Sequence, residues 1–272
     1  MRKQGKVYEE ISAAIDAAGI AGMDDMEAVA DPQPRAPAWA HGIEQIGVSA
    51  SCNGDALGSG CAVAILSGSA FVHGPHHIPL AGYGGEVVIE RNDGMAAVVL
   101  QDMGIVVNPS GEYIIQVETV GEDGGEVGAA IELIFQDASV RQPKQWIARE
   151  GQFAAANADG LLATLAQVAQ SVDCGPSKLI DGVIMCMGSD MAALGCASGV
   201  IKLTQGVVDE QQLVAGSYGG ELIVGDGDVT GPSQRVNAGI LLKGGENVYA
   251  EGRHVNEDGG TISLLVSLGV AR

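Results

Sequence analysis

The chain has 272 residues and a formal charge of −20, with 34 Asp and Glu against 14 Lys and Arg. So acidic a chain is a poor partner for nucleic acid, whose phosphates call for clustered basic residues. Its 46% apolar content is too high for a disordered acidic protein, and its 41 glycines lack the three-residue period of collagen.

The chain opens MRKQGKVYEEISAAIDAAGIAGM. Glu9, Glu10 and Asp16 interrupt any apolar core, so this does not read as a secretory signal. Arg2, Lys3 and Lys6 are either a basic anchor for an acidic neighbour or a solvated, frayed terminus. Val7, Ile11, Ala14 and Ile15, closed by Gly19, have helical spacing and predict a helix over 7–18. Pro32, Pro34 and Pro37 exclude regular helix or central strand over 31–40, which reads as an extended arm. Residues 1–45 are therefore expected to be a helix and a Pro-rich arm.

Residues 46–136 read as β-structure. EVVIE (86–90), AAVVL (96–100), GEYIIQVETV (111–120) and VGAAIELIF (127–135) are short apolar or alternating runs bounded by RNDG, NPSG and GEDGG. Tyr113, Ile115, Val117 and Thr119 share one face of a strand, and the glycines of EDGG suit a tight turn, so 111–135 reads as a hairpin. In 137–180, Leu161, Leu162, Leu165 and Val168 predict a connecting helix over 153–172. Residues 181–272 return to strand pattern with ELIVG, AGILL, ENVYAEG and TISLLVSLGV. Strand–helix alternation is missing inside these β regions, which argues against doubly wound or barrel α/β folds.

The two β regions are copies of one another. YGGE occurs at 83–86 and at 218–221, an offset of 135 (218 − 83), and EDGG recurs at the same offset (257 − 122). Holding that offset, Gly47-Val48 meets Gly182-Val183, Gly60-Cys61-Ala62 meets Gly195-Cys196-Ala197, and Gly104-Ile105 meets Gly239-Ile240. Collinear identities at a single offset indicate a tandem duplication, residues 46–136 and 181–272. The expected fold is mainly β: two tandem jelly-roll-like antiparallel sandwiches with an N-terminal helix and arm and a connecting helix.

The nearest approach to a membrane span, GVIMCMGSDMAALGCASGVI, carries Asp190 at its centre, so a soluble chain is expected. Five cysteines with no CxxC pair fit reduced thiols better than a disulfide framework or a zinc site.

Candidate chemistry is sparse. His73, His76 and His77 place three imidazoles in one Gly/Pro loop, a weak metal candidate that the second copy lacks. EDGG in both copies, with the pairs Asp55/Asp190 and Asp93/Asp228, raises calcium, but the spacing is not that of an EF-hand loop and turn chemistry accounts for it. Ser217 in AGSYG misses a nucleophile elbow by Ala215, and Cys61 and Cys196 have no neighbouring His in sequence to activate them. No enzyme activity and no cofactor are expected. Tyr83, Gly84, Gly85 and Glu86, matched by Tyr218, Gly219, Gly220 and Glu221, are the shared interface or structural candidates.

The duplication, with the closing run NAGILLKGGENVYAEGRHVNEDGGTISLLVSLGVAR, resembles virion shell proteins of the double jelly-roll kind and tailed-bacteriophage capsid decoration (cement) proteins with jelly-roll or tumour-necrosis-factor-like lobes. The resemblance is architectural and spans about 180 residues. It implies a structural protein of a virus particle, a homo-oligomer with a trimer favoured, touching a capsid shell protein, without nucleic-acid or membrane partners, assembled in the host cytoplasm. The acidic charge suits an outward-facing, decorating surface. The alternatives are a double-sandwich carbohydrate-binding module, disfavoured by only two Trp, five Tyr and three Phe, and a cupin-like metalloenzyme, disfavoured because the five His do not recur between copies.

Overall fold

The computed structural model describes residues 11–18, 24–28, 34–53, 59–84, 92–94, 96–120, 123–154, 163–173, 179–189, 196–205, 209–219, 231–241, 247–255 and 261–272. Every regular element among them is a strand. The first lobe holds β1 (Ile11–Ala18), β2 (Asp24–Ala28), β3 (Gly42–Asn53), β4 (Ser59–Ser67), β5 (His76–Gly84), β6 (Asn92–Gly94), β7 (Val98–Val106), β8 (Ile114–Val120) and β9 (Asp123–Gln136). The second holds β10 (Lys144–Ala154), β11 (Ala163–Asp173), β12 (Leu179–Ser189), β13 (Cys196–Gln205), β14 (Asp209–Gly219), β15 (Ser233–Leu241), β16 (Asn247–Val255) and β17 (Thr261–Ala271).

Four antiparallel sheets result. Sheet I runs β1-β9-β3-β7, with the short β6 also on β3, and sheet II runs β2-β8-β4-β5. Sheet III runs β10-β17-β12-β15 and sheet IV β11-β16-β13-β14. With β6 set aside, the lobes match strand for strand. Within each, the first, eighth, third and sixth strands make one sheet and the second, seventh, fourth and fifth the other. Two sheets of four strands interleaved in this order are a jelly roll.

The repeat is visible in the backbone. β7 and β15 lie at the same offset of 135 (233 − 98), and the matched glycines in them, Gly104 and Gly239, both take left-handed φ values, +63° and +66°. An L side chain rarely adopts that conformation, which explains glycine in both copies. Elsewhere the copies have slipped. Gly47 pairs with Glu132, but its sequence match Gly182 pairs with Gly269, two residues beyond the position matching Glu132. A two-residue slip keeps each side chain on its original face of the sheet, so the packing plan survives it.

Both expected helices are replaced by strand where the structure describes them. Residues 11–18 form β1, paired with β9 from Ile11↔Ile131 to Ile15↔Val127. Ile11 and Ile15 are four apart, a spacing that satisfies a strand period of 2 as well as a helical 3.6. In the segment expected to link the lobes, Phe153 and Ala154 end β10 and 163–173 is β11. β11 reaches its partner β16 through register shifts between Thr164 and Gln167 and between Val168 and Val172. The remainder of both helical windows lies outside the described residues.

The expected hairpin over 111–135 is also corrected. β8 pairs with β4 and β2, and β9 with β1 and β3, so the chain passes from one sheet to the other between Val120 and Asp123, and Asp123–Gly125 of EDGG already belong to β9. The face assignment holds: Tyr113, Ile115 and Val117 are buried in the core. That core fills the gap between sheets I and II with Ile46, Val48, Ile131, Leu133 and Phe135 from one side and Ala62, Ala64, Leu66, Ile78 and Leu80 from the other. The outward positions of sheet I are mostly polar or small, with Gln45, Ser49 and Glu132 half-buried and Ser51 exposed, but they include Val99, which is exposed, and Ile134, which is buried. Residues 34–40 lie on this lobe, where Ala36 N–H donates to Gly111 O and Tyr113 N–H to Pro34 O, and a turn over 37–40 is closed by Ala40 N–H donating to Pro37 O.

Candidate functional site at the lobe junction

Sheet II is covered on both sides. Its inner face packs on sheet I, and its outer face, through Cys61 and Val63 of β4, packs on Ala148, Cys186 and Leu265 of sheet III. Double burial explains why Cys61–Leu66 and Val183–Met187 are unbroken apolar runs rather than alternating ones. The junction is built from small residues that let main chains approach. A Cβ on Gly82 would lie 2.1 Å from Met187 O. The Trp146 ring packs over Gly182 and Gly269, where added Cβ atoms would lie 2.6 Å and 3.0 Å from it.

Polar contacts across the junction follow one plan: side chains of one lobe satisfy main-chain groups of the other. Trp146 Nε1–H donates to Met103 O at 2.7 Å, Lys144 Nζ to Asp102 O at 2.9 Å, and Ser267 Oγ to His77 O at 2.6 Å. The Cys186 thiol donates to Ala81 O at 3.1 Å. In the opposite direction, Trp146 N–H and Ala148 N–H point to His76 Nδ1 and His77 Nδ1, both at 3.4 Å. Those amides belong to alternate residues of β10, on the edge away from β17. The two imidazoles stand in for a neighbouring strand on that edge, a form of edge protection.

The junction also holds a buried ion pair. Lys144 Nζ lies 3.0 Å from Asp181 Oδ2, with the two side chains 4% and 9% exposed. An open cleft of about 570 Å³ adjoins it, between the connector 138–142 and β7.

The histidine loop is thus part of the junction. His76 is fully buried, edge-on to Phe71, with its Nε2 3.2 Å from Val72 O. Those partners select the neutral tautomer with hydrogen on Nε2. Burial is the chief cause that lowers its pKa to about 4; the Val72 carbonyl opposes the shift, and His77 and His73 reinforce it. His73 sits in the preceding turn with φ +63°. Both ring nitrogens of His76 have hydrogen-bond partners, Val72 O and Trp146 N–H. Among the described residues no three His, Cys, Asp or Glu side chains converge as a metal site.

The thiol of Cys61 is buried, as packing in a strand predicts, and burial pushes the Cys186 thiol well up, so it stays protonated. Tyr83 and Gly84 end β5 opposite Gly60 and Ser59, and Tyr218 and Gly219 end β14 opposite Ala197 and Cys196. Gly85, Glu86, Gly220 and Glu221 lie outside the described residues, as do Cys196's side-chain surroundings, Asp55 and Asp190. Sequence inspection missed Trp146, Ser267, Gln234 and Cys186. Their contacts run from side chain to distant main chain and leave no motif; the one trace was the unbroken apolar run of β12.

No protein-family model matches the chain, and no curated protein matches it. Solved structures similar to it in chain course include the STIV MCP, 9% identical over 96% of each chain with a TM-score of 0.37. Others are the major capsid protein P2 from bacteriophage PM2, 7% identical over 96% of this chain and 98% of that one, TM-score 0.37, and Broad Bean Stain Virus, 8% identical over 99% and 90%, TM-score 0.36.

Proposed function

We propose that this chain is a structural protein of a virus particle, a capsid decoration or shell component that acts through oligomeric protein–protein contacts. The observation that supports this reading is the junction: two jelly rolls joined face to face, with side chains of each capping the main chain of the other. Such a junction makes two lobes into one block, which suits a building unit that must hold its shape among neighbours. Its polar groups and thiols are consumed by packing, which suits a structural role better than catalysis. The aromatic side chains Phe71, Tyr113, Phe135 and Trp146 are buried, so they offer no stacking platform for sugars.

The finer reading is a homotrimer on the outside of a shell, in contact with the shell protein, with an acidic face to solvent, without nucleic acid or membrane, and assembled in the host cytoplasm before incorporation in the virion. Size-exclusion chromatography with light scattering on the reduced protein tests it. A species near three times 27.6 kDa supports the trimer. Larger closed particles make the chain the shell protein itself. A monomer at high concentration that does not bind capsids overturns the proposal.

A further inference from the structure

We infer that His76 is an acid-operated latch between the two lobes. While neutral, the imidazole accepts the Trp146 N–H on the free edge of β10; once protonated it has only donors to offer and must let that edge go.

The geometry sets this up. His76 starts β5 in the first lobe, and Trp146 lies in β10, the first strand of the second. The ring is fully buried, and each nitrogen has one partner, Val72 O on its own segment and Trp146 N–H across the junction. A proton on Nδ1 would turn the second contact donor-to-donor and bury a charge at the same time. The titratable groups on the surrounding elements are His73 and His77 of its own segment, Lys144 on β10, Asp102 on β7, Asp181 and Cys186 on β12, Cys61 on β4, Glu118 on β8 and Tyr113 just before β8. His77 and His73 both disfavour the cation. The carboxylate of Asp181 is already held by Lys144, so it offers no ready partner for a new charge. The equivalent loop in the second copy carries VVDEQQ, with no imidazole, so the device acts at the junction alone. His77 repeats the contact one step along, with Ala148 N–H pointing to its Nδ1.

The reporter is already in place. Trp146 is one of two tryptophans, and its ring is wedged between the lobes on Gly182 and Gly269. The experiment uses the full chain carrying Trp39→Phe, so that Trp146 is the sole indole, and follows its emission from about pH 7 to about pH 3.5, beside the same chain with His76→Asn. Asn keeps an acceptor near the Nδ1 position and cannot titrate. The expected result is a red shift with a midpoint between about pH 4 and 5 in the histidine chain, moved down by at least about one pH unit in the Asn chain. The same shift at the same pH in both chains overturns the latch, because carboxylate protonation would then be the cause. An emission maximum that does not move above about pH 3.5 in the histidine chain overturns it too. If the Asn chain fails to fold, proton NMR of the His76 ring in the unsubstituted chain decides. A ring midpoint that coincides with the emission shift supports the latch; titration near the ordinary 6.5 with unmoved emission overturns it.

Discussion

The side-chain amide of Gln234 makes both hydrogen bonds that a neighbouring strand would offer to the main chain of Gln101: Gln101 N–H donates to Oε1 at 2.9 Å, and Nε2 donates to Gln101 O at 2.6 Å. One side chain from the second lobe thus closes one rung on the edge of β7 in the first. Gln234→Ala is expected to cost about 1 kcal/mol, the net worth of such bonds at a part-exposed site. Urea denaturation gives the value, and an unchanged midpoint would mean that water replaces the amide at no cost.

At Gly82 the main chains of the two lobes lie close together. A methyl group there cannot fit beside Met187 O at 2.1 Å, and main chain has no rotamer to yield. Gly82→Ala should therefore separate the lobes by a fraction of an ångström to an ångström and cost about 3 kcal/mol, the upper end for overpacking. Calorimetry should show the single transition broaden or split as the lobes lose their coupling. A wild-type melting curve would contradict the closeness of this contact.

Tyr113 is packed against Phe71 and Phe135 with its hydroxyl buried and without a hydrogen-bond partner. Tyr113→Phe removes that unmet group while keeping the ring, so the chain should gain about 1 kcal/mol. A loss of stability in the variant would reveal a partner for the hydroxyl.

Lys144 and Asp181 answer to each other inside the junction. Lys144→Met leaves a carboxylate buried without its cation and should cost about 3–5 kcal/mol. Adding Asp181→Leu to it should restore much of the loss, because the stranded charge disappears with it. Denaturation of the single and double variants gives the coupling; additive losses would mean that the two groups act independently.

The same bookkeeping sets a pH slope through His76. The folded chain resists the proton until about 4, whereas the unfolded chain takes it near 6.5. The contribution of this residue is therefore intact above about pH 6.5, drains away as pH falls towards about 4, and amounts to about 3 kcal/mol in all. Urea midpoints at about pH 7 and about pH 4.5 should differ more in the unsubstituted chain than in His76→Asn, and equal differences would remove His76 from the account.

Much of the architecture was legible from repetition. The offset that aligns Gly104 with Gly239 brought out two glycines with the same left-handed backbone, and the alternation of Tyr113, Ile115 and Val117 marked a buried face. Periodicity failed at Ile11 and Ile15, because a four-residue step serves helix and strand alike. Turn chemistry failed at EDGG, because a tight turn does not say which sheet the returning strand will join. The junction was the least legible part. Ser267 meets His77 across 190 residues of chain, and a hydroxyl seeking a distant carbonyl has no pattern along the sequence.

Sheets I and III are the same sheet of the same fold, yet their outward faces differ. Where sheet III presents Ile184, Cys186 and Leu265 to its neighbour, sheet I carries the half-buried Gln45, Ser49 and Glu132, with Ser51 and Val99 exposed. A lobe that docks front to back on its twin could in principle go on docking, since such head-to-tail contacts do not close and build open fibres. The mostly polar face of sheet I works against extending that series, as the end repeat of a solenoid does. The duplication thus sets a largely polar outward face on sheet I at one end of the block, and a further copy docking there would meet Gln45, Ser49, Ser51 and Glu132 instead of an apolar run.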